Sequence, residues 1–78
     1  MKTMTCKQLG GACDMKFSAN TFDEIAQLSQ AHGKEMFQIN DNSHIIAMNE
    51  MNKLMQNNDA MSQWFDAKKL EFEILEED

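Results

Sequence analysis

A chain of 78 residues folds as one domain that hides only about 60% of the surface its unfolded form exposes, so its core is thin and a staple is expected. Thirteen acids against seven bases give a net charge of −6, and Lys68-Lys69 is the one adjacent basic pair. That balance and the lack of a clustered basic patch argue against nucleic acid as a partner, and no window approaches the ~20 apolar residues of a membrane-spanning helix, so no membrane partner is expected either.

The first stretch, Lys2–Thr5, reads as a strand, and Asp14–Ser18 alternates at period two, with Met15 and Phe17 on one face. Between them lies Cys6-Lys-Gln-Leu-Gly-Gly-Ala-Cys13, where Gly10-Gly11 supplies the positive φ of a tight connection. The expectation is a β-hairpin with both cysteines where its arms meet the turn. Two strands alone are marginal in water, so the hairpin must lean on a helix. Leu9-Gly-Gly-Ala-Cys13 also has the look of a lipoprotein cleavage site, but Met1–Gln8 is too short and polar for the apolar segment a secretory signal requires. A cytoplasmic location is therefore expected, where a cysteine pair binds metal or does redox work rather than forming a standing disulfide.

A helix follows at once. Asn20 or Thr21 caps it, and Thr21-Phe-Asp-Glu24 fits a capping box. Phe22, Ile25, Leu28 or Ser29, His32 and Met36 form its stripe, widened by Ala26 and Phe37, and Gly33 inside the pattern either ends the helix or admits another backbone. Gln38–Ser43 reads as a loop, with Asp41 or Ser43 capping a second helix whose stripe is Ile45, Met48, Met51 or Asn52, and Met55, with Leu54 beside it. Asn57-Asn58-Asp59 restarts the chain into a third helix carrying Met61, Trp64, Phe65, Lys68 and Phe72. Glu76-Glu77-Asp78 opposes the helix dipole and should fray. The fold class is α+β, a ββα unit over residues 1–38 followed by an antiparallel helical hairpin over 42–75, in one domain.

The chemistry-bearing residues are few. Cys6, Cys13 and His32, which lies on the inward helix face, form a candidate zinc-type site, because structural zinc takes four thiolate or imidazole ligands in a tetrahedron. The turn after His32 offers Met36 and Phe37 where a ββα site places a second histidine. Met36 suits copper(I) better than zinc, so His44 is the candidate fourth ligand, its position in the first turn of a helix favouring a neutral ring. The bland alternatives are cysteines serving as small core hydrophobes, a hydrogen-bonded core histidine at 32 and an exposed one at 44. Met48, Met51 and Met55 read as adaptable core filling rather than a copper site. Trp64 and Phe65 read as core or as the centre of a homodimer face.

No Cys-x-x-Cys redox motif, Ser/His/Asp set, phosphate loop or dinucleotide fingerprint is present, so an enzyme is not expected. Three functions stay open: a structural or regulatory zinc site, a metal-free protein-interaction module or homodimer, and a thiol redox sensor. Met1-Lys-Thr-Met-Thr-Cys6, Cys13-Asp14, Phe22-Asp-Glu-Ile25 and Ala31-His32 resemble the short bacterial and archaeal proteins of unknown function grouped as DUF1059, predicted to be small metal-binding proteins. The likeness covers the first half of the chain, and Ile46-Ala-Met-Asn-Glu-Met51 with Trp64-Phe65 resembles that group's longer members. It implies metal binding, but that family's frequent second histidine, five positions after the first, corresponds here to Phe37.

Overall fold

The computed structural model describes residues 1–77, and Asp78, the last residue of the acidic tail, lies outside them. Strands β1 (Lys2–Thr5) and β2 (Lys16–Ala19) pair antiparallel, Met4 opposite Phe17. They are followed by helices α1 (Phe22–Gln38), α2 (Asn42–Met55) and α3 (Asn58–Glu73). The α+β class and the ββααα order are those read from the sequence. No helix among the described residues is long and apolar enough to cross a membrane.

The hairpin obeys period two only over its paired residues. Met4, Phe17 and Ala19 share the buried face, and on the other face the hydroxyls of Thr3 and Ser18 hydrogen bond at 2.8 Å. Met15 does not join Phe17 as the alternation suggested: β2 starts two residues later than Asp14, and Met15 is 50% exposed. Residues 13–15 instead close the loop, the Met15 carbonyl accepting from Cys6 N–H at 2.8 Å and the Cys13 carbonyl from Lys7 N–H at 3.0 Å. Nor do the two glycines make the reversal by themselves. A 3₁₀ turn, Lys7–Leu9, ends at Gly10 with φ +93°, and its Leu9 side chain is buried.

Thr21 caps α1, its hydroxyl oxygen accepting from the Glu24 N–H at 3.2 Å and donating to the Glu24 carboxylate at 3.1 Å. The helix continues through Gly33, which faces no foreign backbone. A Cβ there would sit 3.2 Å from Met48 Cε of α2. Phe22 and Ile25 enter the core with Met4, Cys6, Leu9, Phe17, Ala19 and Phe72. Ser29, not Leu28, is on the covered side. Phe37 is 60% exposed, a correction to the stripe, because the chain turns away immediately after it and leaves the ring over an open groove between α1 and α2.

The connection from α1 to α2 is shorter than Gln38–Ser43. Asn40 takes a left-handed φ of 58°, and the N–H groups of Asn40 and Asp41 return to the carbonyls of Phe37 and Met36 at 3.1 and 3.0 Å. This pattern is a Schellman motif with asparagine in the position glycine usually takes. Asp41 then caps α2, its carboxylate accepting from His44 N–H at 3.1 Å, so three residues separate the two helices and the start of α2 is fixed.

Helix α3 returns across the bundle to bury Phe72 beside the hairpin, where Lys2 Nζ lies 5.3 Å from the ring centroid and donates to the Glu73 carbonyl at 2.8 Å. Phe65 meets Phe22 edge-on at 5.1 Å, and Trp64 lies over Gly10. In the acidic tail the N-terminal ammonium of Met1 donates to the Glu77 carboxylate at 2.6 Å.

Candidate metal centre

Cys6 follows the last residue of β1, Cys13 lies on the far side of the loop, His32 sits three turns into α1 and His44 is in the first turn of α2. The cysteines share the hairpin loop and the histidines come from separate helices, and the fold brings one donor atom of each within 4.8 Å of the other three. Cys6, His32 and His44 are buried and Cys13 is half-buried. Cys13 Sγ lies 3.3 Å from His32 Nε2 and Cys6 Sγ lies 3.6 Å from His44 Nε2. The two imidazoles meet edge to face at 5.1 Å, and Phe17 contacts the His32 ring from the hairpin side at 5.6 Å.

These spacings are those of an ion-sized hole. A tetrahedron with zinc–sulfur bonds of about 2.3 Å and zinc–nitrogen bonds of about 2.0–2.1 Å has sulfur–nitrogen edges of about 3.6 Å. Two thiols and two imidazoles are also the donor types that structural zinc takes. The cluster is therefore compatible with a metal site.

The loop supplies more than the sulfurs. Backbone N–H groups of Cys13 and Ala12 point at the Cys6 sulfur, and that of Met15 at the Cys13 sulfur. Such donors stabilise the thiolate form that binds metal. For Cys6 burial prevails and pushes the thiol up, whereas for Cys13 the Met15 N–H prevails over burial and holds the thiol below its ordinary range. Gly11 supplies space: a Cβ there would lie 2.1 Å from Cys6 Sγ, so any side chain at this position collides with the sulfur.

Asp41 is the residue the sequence showed only as a cap. Its carboxylate accepts from the His44 backbone and also meets His44 Nδ1 at 2.5 Å, leaving Nε2 to face the sulfurs. A carboxylate behind a ligating imidazole fixes its tautomer and ring orientation. The signal was available as Asp-x-x-His at a helix start, where one carboxylate reaches both the backbone N–H and the ring of the third residue on.

The same contact overturns the expectation that the first turn of α2 keeps His44 neutral. The Asp41 hydrogen bond raises the imidazole above its ordinary 6.5 despite burial, and His44 in turn lowers Asp41 below its ordinary 3.8. An adjacent anion outweighs a helix end worth only about 0.3–1 kcal/mol.

The sign of the pH dependence follows. In the metal-free protein the His44 contribution is complete below its unfolded pKa and is lost as pH rises through the elevated folded value. The Asp41 contribution is complete above its unfolded pKa and is lost as pH falls through the depressed one. The pair thus supports the metal-free fold most between about pH 4 and 6.5. Ion binding runs the other way, because the ion displaces the proton on Nε2, so affinity begins to fall on acidification at a pH above 6.5. NMR titration of the metal-free protein should give His44 a midpoint above 6.5, moving down in Asp41→Asn. A wild-type midpoint at or below that value contradicts this account of the pair.

No family model, curated protein or solved structure matches this chain.

Proposed function

We propose that the chain holds one zinc-type ion through Cys6, Cys13, His32 and His44, in a closed structural or regulatory site. The observation that supports this most is the convergence of two thiols from the hairpin loop and one imidazole each from α1 and α2 within 4.8 Å, three of the four residues buried. Four protein ligands leave no open position for a water or substrate, which is the pattern of structural rather than catalytic zinc. Likeness to DUF1059 points in the same direction. The ion would tie the hairpin loop to α1 and α2, the staple that a thin core calls for. Protein purified without chelator should carry about one equivalent of metal by elemental analysis, and Cys6→Ser and His44→Ala should each abolish it. Metal content far below stoichiometric after reconstitution with zinc would remove the proposal.

A second reading, self-association, is favoured by one feature. The groove between α1 and α2 has a volume of about 470 Å³, is lined by Leu9, Ile45, Met48, Met51 and Met55, and Lys34 is its one Lys, Arg, Asp or Glu among the described residues. A second copy could therefore cover it with little of the repulsion that a charge of −6 would otherwise cause. The face centred on Trp64 and Phe65 is a different one, where Trp64 lies over Gly10 and Phe65 meets Phe22 while staying 37% exposed. Sedimentation should show a dimer that Phe37→Glu dissociates, and a monomer at millimolar concentration would remove this reading.

A further inference from the structure

We infer that Cys13 is a peroxide-modified cysteine and Cys6 its resolving partner, so that oxidation closes the pair into a disulfide and dismantles the metal centre. The inference deepens the proposed metal site and rests on it for the consequence, though not for the thiol chemistry.

Three observations carry it. The two sulfurs lie within 4.8 Å of each other, and both cysteines are free thiols. The loop that joins them is already closed, since Cys6 N–H is bonded to the Met15 carbonyl and Lys7 N–H to the Cys13 carbonyl. A bond between them would therefore meet almost none of the entropic resistance of bringing chain ends together. The two residues also differ in exposure: Cys6 is only 3% exposed, whereas Cys13 is half-buried, with its sulfur 3.3 Å from His32 Nε2. A small hydroperoxide meets Cys13 first.

The chemistry balances with one hydrogen peroxide. The Cys13 thiolate attacks a peroxide oxygen, the O–O bond breaks, a sulfenic acid forms and hydroxide leaves. The Cys6 thiolate then attacks the Cys13 sulfur, forming the S–S bond as the S–O bond breaks and a second hydroxide leaves. Two electrons pass from the sulfur pair to the peroxide. The ion keeps its charge but is left with only His32 and His44, too few to retain it.

The test treats the zinc-loaded chain with limiting hydrogen peroxide while following free thiols, intact mass and ion release to a chromogenic chelator. The expected result is loss of both thiols and one ion for each peroxide consumed, in a monomer lighter by two hydrogens, with thiols and ion uptake restored by dithiothreitol. Retention of ion and thiols under these conditions overturns the inference, as does a Cys13 sulfinic acid beside an intact Cys6 thiol. In metal-free Cys6→Ser the modification should stop at a Cys13 sulfenic acid trapped by dimedone, and no trapped adduct overturns the assigned order. If the reduced chain binds no zinc yet still forms the disulfide, the metal site fails and the modification stands. If it binds zinc and forms no disulfide, the reverse holds.

Discussion

Stripping the ion with a chelator should lower the thermal midpoint of the protein by on the order of 15–30 °C. A ligand that binds only the native state at about a thousand times its dissociation constant contributes about 4 kcal/mol, and in a domain of 60–100 residues each kcal/mol moves the midpoint by about 4–8 °C. The effect is large because His44 ties α2, which contributes no residue to the buried apolar core and whose own apolar residues are half-buried or exposed, to the loop and α1 that do share that core. Cys6→Ser should reproduce the loss, and adding chelator to that variant should then change nothing. Calorimetry at fixed excess zinc gives the comparison, and an unchanged midpoint in the chelated wild type would mean that the ion holds nothing together.

A second large effect is expected from a substitution at a residue that is not itself a proposed ligand. Gly11→Ala places a methyl 2.1 Å from Cys6 Sγ and 3.0 Å from the Cys6 carbonyl oxygen, distances at which either the sulfur leaves its position or the loop shifts. Overpacking of this kind costs about 1–3 kcal/mol, and because the displaced atom is a proposed ligand the loss should appear as zinc affinity weaker by about tenfold to a hundredfold. Gly33→Ala is the matched control. Its methyl would meet only the mobile end of Met48 at 3.2 Å, and alanine gains about 1 kcal/mol over glycine inside a helix, so affinity should hold and stability should not fall. Competition titration against a chromophoric chelator separates the two variants, and equal affinities would mean that Gly11 is not there to make room for the sulfur.

The parts of this fold legible in the sequence are those set by local chemistry. The Thr21–Glu24 capping box, the helical stripe through Phe22, Ile25 and His32 and the cysteines bracketing a turn are short-range patterns, and the fold keeps them. What was not legible depends on long-range closure. Met15 alternates correctly with Phe17, yet its carbonyl is used to close the loop onto Cys6, and that use turns it out of the strand. Phe37 has helical spacing, but whether it is covered depends on where α2 lies. The place of His44 turned on a left-handed asparagine at position 40, a backbone choice that the Asn/Asp-rich stretch permits without dictating. Once Asn40 turns the chain, Asp41 both caps α2 and aims the His44 ring, and a histidine that could have been an exposed helix start becomes the fourth donor.

Titration of the reduced, metal-free protein with cobalt(II), a spectroscopic stand-in for zinc, tests the four-ligand centre most directly. The absorption should show thiolate-to-cobalt charge transfer together with the strong visible bands of tetrahedral cobalt, both saturating at about one equivalent. The charge-transfer band should be weakened in Cys13→Ser, and the tetrahedral bands altered in His44→Ala. A weak octahedral spectrum without charge transfer, or one indifferent to both substitutions, would show that the two sulfurs and two imidazoles do not hold an ion together.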